Sequence, residues 1–249
     1  DSDQQLSNGN QNHKNSHVTR FNMKRSIIAF LLLAVTVPTA ADEPKSDRPA
    51  TDSKAATSEA KFLTNLRQVT MGLPRAGEGY FSPDGKEIVY QAYPIGYPFY
   101  QIYVQNLDER VPRRVSPGRG RTTCSYFSPD GKQILFASAH TNPDLSYEER
   151  KARELAAAGG RRRYQWDFDK NMDIYVCQHD GTSLKQLTDA PGYDAEGSYS
   201  SDGKQIVFTS TRDGDPDLYI MDADGANVRQ IVTVDGYDGG PFFSPDNKW

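Results

Sequence analysis

The sequence offers one set of side chains suited to binding a charged partner: Glu78, Tyr193, Asp194, Glu196, Tyr237 and Asp238. Glu78 and Glu196 each stand six residues before the aspartate of a recurring motif. Asp194 and Asp238 each stand eight residues before it. If the repeats bring these carboxylates together, they would bind a hard divalent cation through oxygen ligands, or a basic peptide segment. The alternative is that they hold neighbouring repeats together by bonding backbone N–H groups.

A second candidate is the segment 161–169, in which guanidinium, aromatic and carboxylate groups alternate. Arg161, Arg162, Arg163 and Trp166 are of the residue types that anchor protein interfaces. The alternative is internal, with the arginines paired to nearby aspartates and Trp166 packed on an adjacent repeat.

Catalysis finds little support in the sequence. The chain contains no Gly-x-Ser-x-Gly elbow, His-Glu-x-x-His pair, Cys-x-x-Cys pair or phosphate loop. We therefore predict a protein that is not an enzyme and has no cofactor other than the cation considered above. Its formal net charge of −4 argues against a nucleic-acid partner, because nucleic acids favour clustered Lys and Arg.

The candidate residues must be positioned by a motif that returns four times, at Tyr80–Gly85, Tyr126–Gly131, Tyr199–Gly203 and Phe242–Asn247. Its aspartates, predicted to be structural turn residues, are Asp84, Asp130, Asp202 and Asp246. The steps between them are 46, 72 and 44 residues, a spacing typical of four-stranded β-propeller blades. The sequence therefore predicts an all-β propeller with about three full blades plus partial ones.

The long middle step predicts an insertion in the second blade, at about residues 140–170. It contains a predicted helix over residues 147–158, with a capping box between Ser146 and Glu149. Gly159 and Gly160 would end this helix. Glu149 and Arg153 have the spacing of a stabilising ion pair.

Blade geometry assigns the loops to two faces. The turns that follow the first and third strands lie on one face. The insertion and the loops leading into each first strand lie on the other, which we call the insertion face. Long irregular loops carry recognition more often than short regular turns, so a protein or peptide partner is predicted at the insertion face.

The segment Leu66–Thr70 copies the pattern of a fourth strand, yet no first three strands precede it. In closed propellers the first strand of the chain commonly completes the last blade. We therefore expect a fragment of a longer protein, which would have two or three further blades.

Residues 23–41 have the features of a secretory signal. Met23-Lys-Arg25 is positive, residues 27–37 form an apolar run, and Thr39-Ala-Ala41 offers small residues for cleavage. We predict a non-native or upstream leader at residues 1–22, a disordered linker at 42–60 and the propeller at 61–249. The mature protein would be periplasmic or otherwise exported, without a membrane span.

The two cysteines, Cys124 and Cys177, fall on the predicted first and third strands of one blade. One strand between them would separate their backbones by roughly 9–10 Å, beyond the ~7 Å reach of a disulfide. Two free thiols are predicted.

The repeated Phe-Ser-Pro-Asp-Gly-Lys, followed by Ile-x-Phe, Asp-Leu-Tyr-Ile and Asp-Gly, resembles the TolB-type β-propeller repeat over residues 61–249. The resemblance implies a periplasmic protein that binds the peptidoglycan-associated lipoprotein and other Tol components. The same repeat occurs in propellers that precede the catalytic domain of prolyl-oligopeptidase-like peptidases. Two hypotheses follow: a non-catalytic binding scaffold or, alternatively, the substrate-gating propeller of a serine peptidase.

Overall fold

The computed structural model describes residues 60–159 and 168–249. The chain divides into two compact units between Thr64 and Asn65, and every described strand lies in the second unit, Asn65–Trp249. These strands form three four-stranded antiparallel sheets, each with its strands in sequence order. Each sheet is one blade, and the three blades do not close a ring within the described residues.

The first blade consists of β1 (Ala76–Phe81), β2 (Glu87–Ala92), β3 (Gln101–Asn106) and β4 (Arg113–Arg114). The second consists of β5 (Thr122–Phe127), β6 (Gln133–Ser138), β7 (Asp173–Gln178) and β8 (Lys185–Gln186). The third consists of β9 (Asp194–Tyr199), β10 (Gln205–Ser210), β11 (Asp217–Asp222) and β12 (Arg229–Gln230). Helix α1 (Leu145–Ala157) lies between β6 and β7. The prediction of an all-β propeller with a helical insertion in the second blade is confirmed.

The blades stack through strands that are buried on both faces. In β6, Ile134 and Phe136 pack against the first blade, where Val89 is fully buried. The intervening Leu135 points the other way and packs with Ile206 of the third blade. This alternation is the period of two that a strand imposes on its side chains. The second blade is therefore held from both sides by apolar contacts.

The Ser-Pro-Asp-Gly turns share one hydrogen-bonding pattern. In the first, the Ser82 hydroxyl donates to Asp84 Oδ1 at 2.7 Å, and the Lys86 N–H donates to the same oxygen at 3.1 Å. These bonds lower the pKa of Asp84. The same pair of bonds recurs at Asp130, Asp202 and Asp246. The third copy has Ser201 in place of proline, so the geometry depends on the serine and the aspartate rather than on proline.

Two local predictions are wrong. Helix α1 begins at Leu145 with Asp144 as N-cap, so Ser146 lies inside the helix and forms no capping box. The early start is explained by Leu145, which is buried and 2% exposed. The segment Leu66–Thr70 is not a strand. Instead of pairing with a strand edge, its Val69 carbonyl accepts a hydrogen bond from the Gln105 side chain at 2.6 Å.

The cysteines lie where the blade model places them, Cys124 on β5 and Cys177 on β7, with β6 between. Both are buried, free thiols. Burial raises the pKa of Cys177 to about 12 and raises that of Cys124 well above its usual value.

Candidate binding cavity at the blade centre

Every first strand has one residue in the left-handed region of backbone conformation. These residues are Glu78, Cys124 and Glu196, with φ of 47°, 52° and 58°. At the matching position of the fourth repeat stands Gly240, with φ of 63°. The pairing register of each first strand shifts at this point, which defines a β-bulge. The bulge breaks the alternation of side chains, and the same position of every repeat comes to line one cavity.

This central cavity has a volume of ≈ 290 Å³ and is lined by Glu78, Tyr80, Cys124, Ser125, Tyr126, Glu196, Gly197, Tyr237, Gly240 and Phe242. Three of its aromatic rings come from matching positions, two residues after the bulge. The ring centroids of Tyr80 and Tyr126 are 5.1 Å apart, and Phe242 lies 5.7 and 5.9 Å from them. Tyr126 and Phe242 also line a second cavity beside the Ser-Pro-Asp-Gly turns. The aromatic cluster therefore stands between the two cavities.

Glu196 is held by hydrogen bonds from the fourth repeat. Its Oε2 accepts bonds from the Gly240 N–H at 2.6 Å and from the Tyr237 hydroxyl at 2.9 Å. The Thr209 hydroxyl of β10 donates to the same oxygen at 3.1 Å. For Glu196, these bonds match the alternative in which a carboxylate joins neighbouring repeats.

Glu78 is held from its own blade. The Gln91 side chain donates to Glu78 Oε2 at 2.8 Å and accepts a bond from Thr123 of the second blade at 2.7 Å. Desolvation in the cavity raises the pKa of Glu78, and repulsion from Glu196 raises it further. Burial and the nearby Glu78 carboxylate raise the pKa of Tyr80 to about 12. The cavity therefore concentrates negative charge beside aromatic surface.

Asp194 does not join the ring of carboxylates predicted from the sequence, because it is already paired. It is 1% exposed, accepts a bond from the Ser210 hydroxyl at 2.5 Å, and forms an ion pair with Arg212 at 2.9 Å. Asp238, its counterpart, donates its backbone N–H to the Pro216 carbonyl at 2.8 Å. The Asp194 side chain therefore makes its contacts within the third blade, the Asp238 backbone joins the fourth repeat to that blade, and neither aspartate lines the central cavity.

The two tyrosines also separate. Tyr193 is 1% exposed and packs among Ala137 and Met172, although its hydroxyl reaches Glu196 at 3.3 Å. Tyr237 is 58% exposed and lines the cavity. Of the predicted set, the structure brings together Glu78, Glu196 and Tyr237.

Sequence reasoning missed Cys124 and the rings of Tyr80, Tyr126 and Phe242. The signal was present, since Cys124 stands six residues before Asp130 just as Glu78 stands six before Asp84. A search restricted to acidic residues passes over it. Arg161, Arg162, Arg163 and Trp166 lie outside the described residues.

Helix α1 is fixed to loops of the insertion face. Arg121, which precedes β5, forms ion pairs with Glu148 of the helix and with Asp169, the latter at 3.0 Å. The Tyr97 hydroxyl, in the loop after β2, donates to Glu149 at 2.7 Å. The predicted pair of Glu149 and Arg153 is present at 3.8 Å.

Across residues 60–159 and 168–249, no three His, Cys, Asp or Glu side chains are grouped so that they could hold a metal ion. Within the same residues, no helix has the length and apolar character needed to cross a membrane. The predicted channel cation remains a prediction.

Comparison with known proteins supports the repeat type. Residues 162–249 match the family model of the TolB β-propeller domain. A 49-residue stretch is 39% identical to a protein named TolB homolog from Chlorobium luteolum, covering 20% of this chain and 11% of the relative. The crystal structure of TolB from Acinetobacter baumannii matches with a TM-score of 0.52 and 25% identity, over 71% of this chain and 36% of that one. That of putative TolB from Agrobacterium tumefaciens matches with a TM-score of 0.49 and 27% identity, over 66% of this chain and 51% of that one.

Proposed function

We propose that this chain, whose repeats are β-propeller blades of the TolB type, is an exported, non-catalytic scaffold that binds a protein or peptide segment at its insertion face. The observation that carries the proposal is the convergence of Glu78, Glu196 and Tyr237 with three aromatic rings on one cavity. Such a cavity suits a basic or aromatic side chain, because it offers both carboxylate oxygens and ring faces.

Glu78 is the residue that would meet the partner's charge. Glu196 already accepts bonds from Gly240, Tyr237 and Thr209. It would therefore attract a cation through its negative charge rather than bind it directly. A cationic group entering the cavity would offset both the desolvation and the repulsion from Glu196 that raise the pKa of Glu78. Binding is therefore expected to strengthen as pH rises through the pKa of Glu78.

The TolB resemblance supports a partner in the cell envelope, with the peptidoglycan-associated lipoprotein as the first candidate. This chain spans only 11% of its curated relative and 36% and 51% of the two TolB structures, so a Tol-Pal role is part of the proposal. Export is proposed from residues 23–41. A reporter enzyme that is active only outside the cytoplasm, fused after residue 41, tests it: activity supports export, and an inactive, uncleaved fusion contradicts it.

Affinity selection from a library of random peptides tests the binding role. Enrichment of Lys- or Arg-containing peptides on the wild-type chain, reduced at least tenfold by Glu78→Gln, is expected. Glu109→Gln is the matched control, because Glu109 is an exposed residue outside the cavity. Equal enrichment on all three proteins would contradict the proposal.

The alternative, a substrate gate of a serine peptidase, is distinguished by the coding sequence after Trp249. A Gly-x-Ser-x-Gly elbow with a later Asp and His would favour the gate. Further blades followed by a stop codon would favour the scaffold.

A further inference from the structure

A further cavity, separate from the central one and from the one beside the turns, lies on the insertion face and shares no lining residue with either. It has a volume of ≈ 550 Å³ and is lined by Pro74, Arg75, Tyr93, Pro94, Gly96, Tyr97, Pro98, Arg153 and Ala156. Three stretches build it: the segment that leads into β1, the loop between β2 and β3, and the C-terminal half of helix α1. We call it the tyrosine groove. Its volume suits a short peptide rather than a single side chain.

The tyrosine rings of this groove are held in place before any ligand arrives. The Tyr93 backbone N–H donates to the Arg75 carbonyl at 2.9 Å, and the Tyr93 and Tyr100 rings are 4.2 Å apart. The Tyr97 hydroxyl donates to Glu149 at 2.7 Å and accepts the Gly120 N–H at 2.6 Å. Because these positions are already fixed, binding would cost little ordering of side chains.

The side chains that line the groove carry net positive charge, and the Glu149 carboxylate contacts two of them, Tyr97 and Arg153. The groove lining includes two arginines and no acidic side chain. The Arg75 guanidinium lies 6.0 Å from the Tyr93 ring centroid, and that of Arg153 lies 5.8 Å from the Tyr97 centroid. The Arg153 pair with Glu149 spans 3.8 Å and its side chain is 51% exposed, so the pair is weak and leaves the guanidinium within reach of a second carboxylate.

From these observations we infer that the tyrosine groove binds an extended, proline-containing peptide segment of a partner protein that carries an acidic residue. Grooves lined by aromatic rings accept the polyproline II conformation, which is already ordered and exposes its carbonyls. The arginines add a preference for carboxylate, because a planar guanidinium can donate two parallel hydrogen bonds to one carboxylate. Ile95, which lies between the groove residues Pro94 and Gly96, is 79% exposed and offers apolar surface to the part of the peptide that extends beyond the groove.

The preference is opposite to that of the central cavity, where Glu78 and Glu196 favour positive charge. A partner with an acidic proline-rich segment and a separate basic segment would occupy both sites. The inference does not require the central cavity to bind anything, so the two proposals can fail separately.

Fluorescence anisotropy with a labelled Pro-Pro-Glu-Pro-Pro-Glu-Pro-Pro peptide tests the inference. Peptides with Lys in place of Glu, or Gly in place of Pro, are the comparison probes. The Glu-Pro peptide is expected to bind at least fivefold more tightly than either, and Glu78→Gln is expected to leave its affinity unchanged.

Helix α1 offers a matched pair of variants. Arg153→Gln removes a groove residue, and Arg150→Gln removes an arginine that also has a Glu partner at i,i+4 and a tyrosine ring at 5.5 Å but does not line the groove. Arg153→Gln should weaken binding at least fivefold and Arg150→Gln less than twofold, with equal melting temperatures.

Tyr93→Phe keeps the ring and should keep the affinity, while Tyr93→Ala should abolish binding. Equal binding of the Glu and Lys peptides, equal effects of the two arginine variants, or no binding of any probe would overturn the inference. Displacement of the peptide by an oligosaccharide but by no other peptide would also overturn it, by identifying a carbohydrate site.

Discussion

The backbone N–H of Gly240 donates a hydrogen bond to Glu196 Oε2 at 2.6 Å, across the boundary between the third blade and the fourth repeat. Nearby, the Ser198 hydroxyl donates to the Pro241 carbonyl at 2.8 Å. A carboxylate that closes this boundary cannot also be an open ligand. We therefore assign the two glutamates of the central cavity different roles: Glu196 connects the third blade to the fourth repeat, and Glu78 is the residue that we propose meets the partner.

Glu196→Gln tests whether the contact between the third blade and the fourth repeat stabilises the fold. The amide has one acceptor oxygen, which can take the place of Oε2, so the bonds that the Tyr193 and Tyr237 hydroxyls donate to Oε1 are lost and the bonds that remain lose the charge of the carboxylate. The free energy of unfolding, measured with urea, should fall by about 1–2 kcal/mol. Glu109→Gln, at an exposed position, should change it by less than about 0.5 kcal/mol. Equal unfolding free energies for the two variants would show that this contact does not stabilise the fold.

A pair of glycines tests the close packing that supports the tyrosine groove. Gly120 and Gly72 both have φ of 76°, but a Cβ on Gly120 would meet the His140 backbone at 2.7 Å, whereas nothing lies within 4 Å of one on Gly72. Gly72→Ala should cost about 1 kcal/mol, from the backbone conformation alone. Gly120→Ala should lower the free energy of unfolding by about 1–3 kcal/mol more. It should also loosen Tyr97, whose hydroxyl accepts a hydrogen bond from the Gly120 N–H. Similar unfolding free energies for both would contradict this packing.

Asp173 gives the fold a pH dependence. Burial and the charge of Asp194 raise the pKa of Asp173 to about 7, with Asp189 adding to the repulsion; hydrogen bonds from Thr188 and Gln186 oppose the shift. Arg212 pairs with Asp194 at 2.9 Å. Since the folded pKa lies above the unfolded value, the folded state holds the proton more tightly. The stabilisation is complete below about pH 4 and is lost as pH rises through 7.

Melting temperatures should therefore fall between pH 5 and pH 8, and Asp173→Asn should reduce that fall. Asp180→Asn is the control, because hydrogen bonds from Thr182 lower the pKa of Asp180 and it stays ionised throughout this range. A wild-type fall that Asp173→Asn leaves unchanged would assign the pH dependence to another group.

The reactivity of the two thiols reports whether the folded chain opens. Because burial raises the pKa of both, neither is thiolate at pH 8 in the folded chain. Ellman's reagent should label well under one thiol per chain within minutes, and two after unfolding. A thiol that reacts fast in the native state of a Cys177→Ser variant would show that the central cavity opens widely enough to expose Cys124.

The blades could be predicted because their signals are local. Ser82 and Asp84 make the same turn wherever that pair recurs, and alternating residues such as Ile134 and Leu135 mark strands buried on both faces. The first residue of α1 could not be predicted, since it depends on the burial of Leu145, which is a tertiary property.

The site was predicted only in part, for a related reason. Asp194 and Glu196 look alike in the sequence, but the bulge at Glu196 directs this residue to the cavity while Asp194 pairs with Arg212. That bulge depends on the pairing of β9 with β10, which is not a local property. Cys124 was overlooked because its position, rather than its charge, places it at the centre.

Site-specific photo-crosslinking tests whether the central cavity meets a protein partner. A photoreactive benzoylphenylalanine replaces Tyr237 at the cavity or, as control, Phe81, which is 67% exposed and lines the cavity beside the turns. Crosslinking is carried out in cells that express the full-length protein, with and without Glu78→Gln. We expect a discrete protein adduct from position 237 that Glu78→Gln strongly reduces, and none from position 81. No adduct at 237, or one that forms equally at 81 and survives Glu78→Gln, would contradict this expectation.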